Sequence, residues 1–142
     1  NEKDKVGLIV FGSEIKEVIE PTSDFTRLLK EITRIRASRE TDIVSTFKKA
    51  IELFPSEDIT KHLILITDAL PTKGDEPEKS TLEEASIARS MGITISLVGI
   101  NLDEKGKKFA EKIVELGEGR LYIVKNLDNV DKVVLEDYYS VW

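Results

Sequence analysis

The chain contains no cysteine and no glutamine, and its only histidine is His62. Without cysteine it cannot form disulfides, zinc–thiolate sites or a thiol nucleophile. A Ser-His-Asp triad would have to use His62, which follows Lys61 and directly precedes an apolar run. We therefore interpret His62 as an ordinary residue that flanks a strand. The lack of glutamine, together with abundant Glu and Lys, is typical of proteins from hyperthermophiles and indicates nothing about activity.

Long apolar runs and a secretory signal pattern are also lacking. A helix that spans a bilayer needs about 20 consecutive apolar residues, so we expect no membrane contact and a cytoplasmic location. Basic residues are fewer than acidic ones: the chain has 21 Lys and Arg against 27 Asp and Glu, which gives a net charge of -6. Nucleic-acid surfaces need clustered Lys and Arg, so we expect no nucleic-acid partner.

The chain is long enough for one ordinary domain. It has 142 residues, of which 40% are hydrophobic, and this is sufficient for a core at that length. We see no internal repeat, low-complexity stretch or linker that would separate a second domain. The expected organisation is therefore a single domain over residues 1–142.

Short apolar runs alternate with helical stripes along the chain. Apolar runs without strict alternation suit strands of a parallel sheet that is covered on both faces. A weaker strand follows the first after only a few residues, so these two should form an antiparallel hairpin. We predict the hairpin at one edge of the sheet, the last strand at the other edge and the Leu63 strand near the centre. The predicted strands are Val6–Phe11, Ile15–Ile19, Leu63–Ile66, Ile93–Val98 and Leu121–Val124.

Five helices are predicted between and after these strands from apolar residues at helical spacing. Pro55, Gly92 and Gly117 should end the second, third and fourth helices. The alternation of strands and helices indicates an α/β domain with a mostly parallel sheet and one antiparallel edge strand. The stripes begin at Phe25, Ile43, Leu82, Phe109 and Val130.

A carboxylate lies where one buried strand should end. In "LILITDALPTKG", residues 63–74, four apolar residues lead to Thr67 and Asp68, and Pro71 and Gly74 shape the loop that follows. Ligands of open α/β sheets bind beyond the carboxyl ends of the strands. A helix start at Thr41 and Asp42 should face the same crevice. Hydroxyl and carboxylate oxygens suit Mg²⁺, although Thr41 and Asp42 could equally cap the helix and Asp68 could cap a turn.

Four segments together resemble the von Willebrand factor type A (vWA) domain. They are "DKVGLIVFGS", similar to the family's second strand; "TDIVSTFKKAIELF", similar to the helix that opens with a metal-binding threonine; "LILITDALPTKG", similar to the fourth strand with its metal-binding aspartate; and "ARSMGITISLVGI", similar to the next strand. The resemblance covers nearly the whole chain. It implies a three-layer α/β/α, Rossmann-like fold.

The resemblance also implies a metal-ion-dependent adhesion site (MIDAS). In that site Mg²⁺, or Mn²⁺, is held by an Asp-x-Ser-x-Ser loop, a threonine and an aspartate, and an acidic residue of a partner protein completes the coordination. Thr41 matches the threonine and Asp68 the aspartate. Arg39 and Glu40 replace the frequent Gly-Gly pair before the threonine, and Ala69 replaces the frequent glycine after the aspartate.

The largest departure from the family is the Asp-x-Ser-x-Ser loop, which the chain does not contain. Relative to the family, the first strand, three of the five usual ligands and a helix are missing. We expect this segment to come from the same polypeptide or from another chain, unless the domain is metal-free. Without the loop the cation would have one charged ligand, and we expect Mg²⁺ to bind weakly or not at all.

Three functions follow as hypotheses. The first is a non-enzymatic protein-binding module in which Mg²⁺ bridges to an acidic residue of a partner, within a larger complex such as one built with an AAA+ ATPase of the chelatase type. The second is a metal-free structural interaction domain. The third is a phosphatase that uses Asp68 as its nucleophile, but Leu70 stands where that motif needs a second aspartate.

Overall fold

A computed structural model describes residues 6–11, 15–33, 42–56, 59–68, 76–125, 128 and 130–140. Strands and helices follow one another in the order that the sequence predicts. The strands are β1 (Val6–Phe11), β2 (Ile15–Thr22), β3 (Lys61–Thr67), β4 (Ile93–Ile100) and β5 (Glu118–Val124). The helices are α1 (Phe25–Thr33), α2 (Ile43–Leu53), α3 (Pro77–Ser90), α4 (Glu104–Gly117) and α5 (Val130–Ser140).

The strands form two sheets in the described part of the chain. β1 and β2 pair antiparallel, as predicted for the hairpin. β3, β4 and β5 form a parallel sheet in that order, with Leu65 opposite Leu97 and Leu97 opposite Leu121. β5 is an edge of this sheet, as predicted. β4 occupies the middle and β3 the other edge of the described sheet, so the central position of the Leu63 strand, in a sheet that also includes the hairpin, stays a prediction.

β4 takes the middle position because both of its faces can be buried. Five consecutive residues, Ile95 to Gly99, are shielded from solvent. β3 is less fully covered, since only Leu65 and Thr67 in it are buried. Its second edge meets no other strand among the described residues.

The helices lie in two layers on either side of the sheet, so the domain is a three-layer α/β/α sandwich. α3 and α4 pack on β4, and α2 packs on α3 and on both strands of the hairpin. α5 lies against β4 and β5 on the opposite face, and α1 contacts both α5 and β1. The α2–α4 side holds the main core, which is centred on Phe47, Ala85, Ile95, Leu97 and Ile113.

Two glycines are needed where the chain passes from a helix to the next strand, one after α3 and one after α4. Gly92 has a φ of 81° and follows the end of α3, where the sequence predicts a helix stop. Gly119 lies just after the end of α4, and a Cβ atom there would overlap the backbone carbonyl of Ile95. Close approach of two strands therefore requires glycine at position 119.

None of the helices in the described part of the chain has the length and apolar character needed to cross a bilayer.

Candidate functional site

Asp68 lies at the carboxyl edge of the parallel sheet. It directly follows Thr67, the last residue of β3, which is buried and lies opposite Gly99 of β4. The side chain of Asp68 is exposed to solvent. Because β3 is anchored by its parallel pairing to β4, the strand presents this carboxylate at the edge where ligands of α/β sheets bind.

The start of α2 has the helix-capping role that we considered for it. Asp42 Oδ1 accepts a hydrogen bond from the backbone N–H of Ser45 at 3.0 Å, so the carboxylate caps the first turn. The hydroxyl of Thr46 donates to the backbone carbonyl of Asp42 at 2.7 Å. Thr41, the predicted metal ligand next to it, lies outside the described residues, and the predicted approach of Thr41 to Asp68 stays a prediction.

The donor set for a cation is small. Among the residues that the structure describes, no three His, Cys, Asp or Glu side chains come together as a metal-binding group. Mg²⁺ demands near-octahedral oxygen coordination and gives up its waters reluctantly. Asp68 has the right chemistry for one ligand.

A second polar site, which the sequence analysis missed, lies on the α5 face of the sheet. Its members are His62 on β3, Ser96 on β4, Tyr122 on β5 and Asp137 on α5. His62 Nε2 is 2.9 Å from Asp137 Oδ2 and 3.0 Å from Ser96 Oγ. The Tyr122 hydroxyl donates to Asp137 Oδ1 at 3.0 Å. We call these four residues the polar cluster.

Burial dominates the electrostatics of the polar cluster. The side chain of Asp137 is fully buried, and that of His62 is 11% exposed. Burial lowers the pKa of His62, and the nearby positive charge of Arg120 lowers it further, whereas the Asp137 carboxylate opposes both effects. Burial also raises the pKa of Tyr122, and the hydrogen bond to Asp137 acts in the same direction. At neutral pH a neutral imidazole and a protonated phenol therefore face the carboxylate.

The geometry of the polar cluster differs from that of a nucleophilic triad. In a triad the carboxylate contacts Nδ1 of the histidine and the serine contacts Nε2. Here Asp137 and Ser96 both face Nε2 of His62. The 2.9 Å contact of His62 Nε2 with Asp137 Oδ2 is an ion-pair distance without hydrogen-bond geometry, so it does not fix the tautomer of the ring. Ser96 is itself buried, and its Oγ accepts from the backbone N–H of Arg120 at 3.1 Å.

The sequence interpretation of His62 was therefore wrong, since this residue belongs to β3 and contacts α5. A signal was present in the last helical stripe. Val130, Val133 and Val134 mark its apolar face, and Asp137 lies on the same face two turns after Val130. A carboxylate at such a position needs a buried partner. Only the three-dimensional arrangement shows that the partners are His62 and Tyr122.

Comparisons with known proteins identify the fold independently. Three solved structures are similar to the chain, at identities that establish the fold alone. The SpRpn10 VWA domain has a TM-score of 0.68 at 11% identity, over 94% of this chain and 73% of that one. The pilus adhesin SpaC from Lactobacillus rhamnosus GG has a TM-score of 0.74 at 15% identity, over 96% and 25% of the two chains.

Proximal thread matrix protein 1 from the mussel byssus has a TM-score of 0.65 at 18% identity, over 93% of this chain and 33% of that one. The chain thus spans a quarter to a third of the adhesin and the byssus protein. No curated protein sequence gives a significant match. The family model of the von Willebrand factor type A domain matches residues 1–136. The chain therefore belongs to the von Willebrand factor type A domain family, whose members are generally protein-interaction modules.

Proposed function

We propose that this domain is a metal-dependent protein-interaction module in which Asp68 is a ligand of Mg²⁺. The observation that carries the proposal is the exposed carboxylate of Asp68 directly after the last buried residue of β3. Oxygen donors in this position suit a hard cation. An acidic residue of the partner protein would complete the coordination, so the cation would bridge the two proteins. Thr41 is the second ligand in this proposal.

The remaining ligands require a further segment of polypeptide. Within the described residues, β3 pairs only with β4 and β1 pairs only with β2, so each has one edge without a strand. α2 packs on the hairpin and also contributes Phe47 to the core that contains Leu65 of β3. One helix layer thus covers both sheets.

We infer that an additional strand lies between β1 and β3, where it satisfies their backbone groups and leads to an Asp-x-Ser-x-Ser loop beside Asp68. The segment would belong to the same polypeptide or to a second chain. Mg²⁺ would bind weakly, or not at all, until this loop is in place. A larger assembly, such as a complex with an AAA+ ATPase of the chelatase type, is the context that we propose for the module.

Thermal melting with and without Mg²⁺ tests the metal site on the domain that carries the additional segment. A cation that binds only the folded state raises the melting temperature by mass action. We expect Mg²⁺ to stabilise the parent domain and to have no effect on the Asp68→Ala variant. Without metal the Asp68→Ala variant should melt at or slightly above the parent, because it relieves repulsion among the carboxylates of the empty site.

Glu111→Ala is a matched control, because Glu111 is an exposed carboxylate on α4, away from the carboxyl edge of β3. The control should respond to Mg²⁺ as the parent does. Equal Mg²⁺ shifts in the parent and in Asp68→Ala would show that Asp68 is not a ligand. No shift in the parent would instead support the metal-free interaction domain.

A further inference from the structure

The docking of α5 depends on a carboxylate. Among its described side chains only Val130 and Asp137 are buried, with 1% and 0% of their surface exposed. Leu135 and Tyr139 are 40% and 69% exposed. A surface helix normally docks through an apolar stripe. In the second half of α5 the buried position two turns after Val130 is instead occupied by the carboxylate of Asp137.

Asp137 is held by groups that belong to the sheet. His62 of β3 lies 2.9 Å from Oδ2, and the Tyr122 hydroxyl of β5 donates to Oδ1. Ser96 of β4 lies between these strands and contacts the same His62 nitrogen. One contact point therefore joins α5 to all three strands of the parallel sheet. A buried carboxylate is stable only while such partners remain in place.

Charged and polar groups on α5, β5 and β4 surround His62. Among the described residues, Asp137 on α5 is the acidic group that acts on His62, and Tyr122 and Arg120 lie nearby on β5. On β4, Ser96 and the register partner Thr94 are neutral, and Thr94 Oγ1 accepts from Arg89 Nη1 at 3.3 Å.

A proton on His62 would thus enter a poorly solvated site, and the positive charge of the exposed Arg120 nearby would oppose it further. Attraction to Asp137 only partly offsets this cost, so the imidazole is neutral while α5 is docked.

We propose that His62 and Asp137 form a pH-sensitive clasp that holds α5 on the sheet at neutral pH and releases it in mild acid. The clasp differs from the metal site in position and in chemistry. His62 is at the amino end of β3, whereas Asp68 follows its carboxyl end. The proposal therefore stands whether or not a cation binds at Asp68.

Proton linkage sets the direction of the effect. The ordinary pKa of histidine is about 6.5, and His62 reaches that value when α5 leaves and water enters. With α5 docked the pKa of His62 is lower, so the released form binds more protons. Release is therefore favoured as pH falls below about 6.5, by up to about tenfold per pH unit for one proton. The effect ends once pH passes below the docked pKa.

Amide hydrogen exchange in the intact protein tests the clasp between about pH 7.5 and 5, with rates corrected for intrinsic exchange. We expect the protection of α5 amides to fall by up to about tenfold per pH unit below about pH 6.5, while protection of β4 amides stays nearly constant. In His62→Gln, which replaces the titrating ring with a neutral polar side chain, the α5 protection should not change with pH. Glu136→Gln, a change of the exposed neighbour of Asp137 on the same helix, should behave as the parent.

Two outcomes of the exchange experiment would overturn the proposal. One is a parallel loss of protection in α5 and β4, which would mean that acid acts on the whole domain. The other is an unchanged pH response of α5 in His62→Gln. NMR titration of the His62 ring uses the unsubstituted protein, so the result does not depend on whether a variant folds. A ring pKa at or above about 6.5 would also contradict the clasp.

Discussion

At the scale of single residues, Asp137 gives the clearest example of a polar group that the fold must satisfy. A fully buried carboxylate carries a desolvation cost of several kcal/mol, and the cost is offset only by good partners. The Tyr122 hydroxyl donates to Oδ1, and His62 Nε2 lies 2.9 Å from Oδ2 in a contact without hydrogen-bond geometry. The polar cluster therefore links the stability of the domain to specific hydrogen bonds as well as to buried apolar area.

Removal of the Tyr122 hydroxyl should weaken the domain measurably. Tyr122→Phe deletes the hydrogen bond to Asp137 Oδ1 and leaves the ring in place. Hydrogen bonds to charged groups are worth about 1.5–3 kcal/mol, so we expect the free energy of unfolding to fall by about 2 kcal/mol. Urea denaturation measures this change.

Tyr139→Phe is the control for Tyr122→Phe. Tyr139 is 69% exposed on α5, and its substitution should change the free energy of unfolding by less than about 0.5 kcal/mol. A loss for Tyr122→Phe as small as that of the control would mean that the hydrogen bond to Asp137 contributes nothing net to stability.

At the scale of elements, the connection between α4 and β5 is the shortest among the described residues, because β5 begins directly after the last residue of α4. α4 ends at Gly117, and Glu118 takes a left-handed φ of 54° before β5 continues. Gly119 then passes against the backbone of Ile95 on β4. The chain reverses within a few residues because glycine permits this approach, and the reversal places β5 in register beside β4.

Gly119→Ala should be more destabilising than a glycine change that only affects conformation. Its Cβ would overlap the Ile95 carbonyl, so two paired strands would have to separate. We expect a loss of about 3 kcal/mol, the upper end for overpacking. Gly92→Ala is the matched control. Gly92 has a φ of 81° and open space around it, so we expect the smaller cost of about 1–2 kcal/mol for a left-handed alanine.

Chemical denaturation compares the two glycine variants. Equal losses would show that β4 and β5 can adjust around an extra methyl group. A larger loss for Gly92→Ala would mean that the left-handed turn after α3, and not the strand contact, limits stability at this end of the sheet.

At the scale of the whole molecule, two sheets share one set of helices. The hairpin and the three-stranded sheet each have an edge strand without a second partner among the described residues. Unpaired strand edges attract other strands, and proteins normally cover or pair them. The additional strand that we propose between β1 and β3 would join the two sheets into one.

Hydrogen exchange along β3 in the intact protein checks this arrangement. Alternate amides of β3 point toward β4 and away from it. With an additional strand in place, the amides that point away should be protected as strongly as those bonded to β4, because both sets are hydrogen-bonded in the core. Fast exchange restricted to the outward amides would show that no strand occupies this edge.

The sequence by itself determined the order of elements, the antiparallel hairpin and the ends of α3 and α4. These features follow from local physics, because apolar periodicity reports which face is buried and glycine marks helix ends. It also placed Asp68 correctly at the end of a buried strand. The strand bounds were less exact: the structure extends β3 to Lys61–Thr67, beyond the predicted Leu63–Ile66.

Only the tertiary structure decided that β4 is the middle strand of the described sheet and that His62 meets Asp137. The two residues are 75 positions apart in the sequence, and no local pattern reports such a pairing. Periodicity shows that Asp137 lies on an apolar face, but the partner depends on how α5 packs across β3 and β5. The physical reason is that burial of a polar group is decided by contacts between elements, which the chain acquires only when it folds.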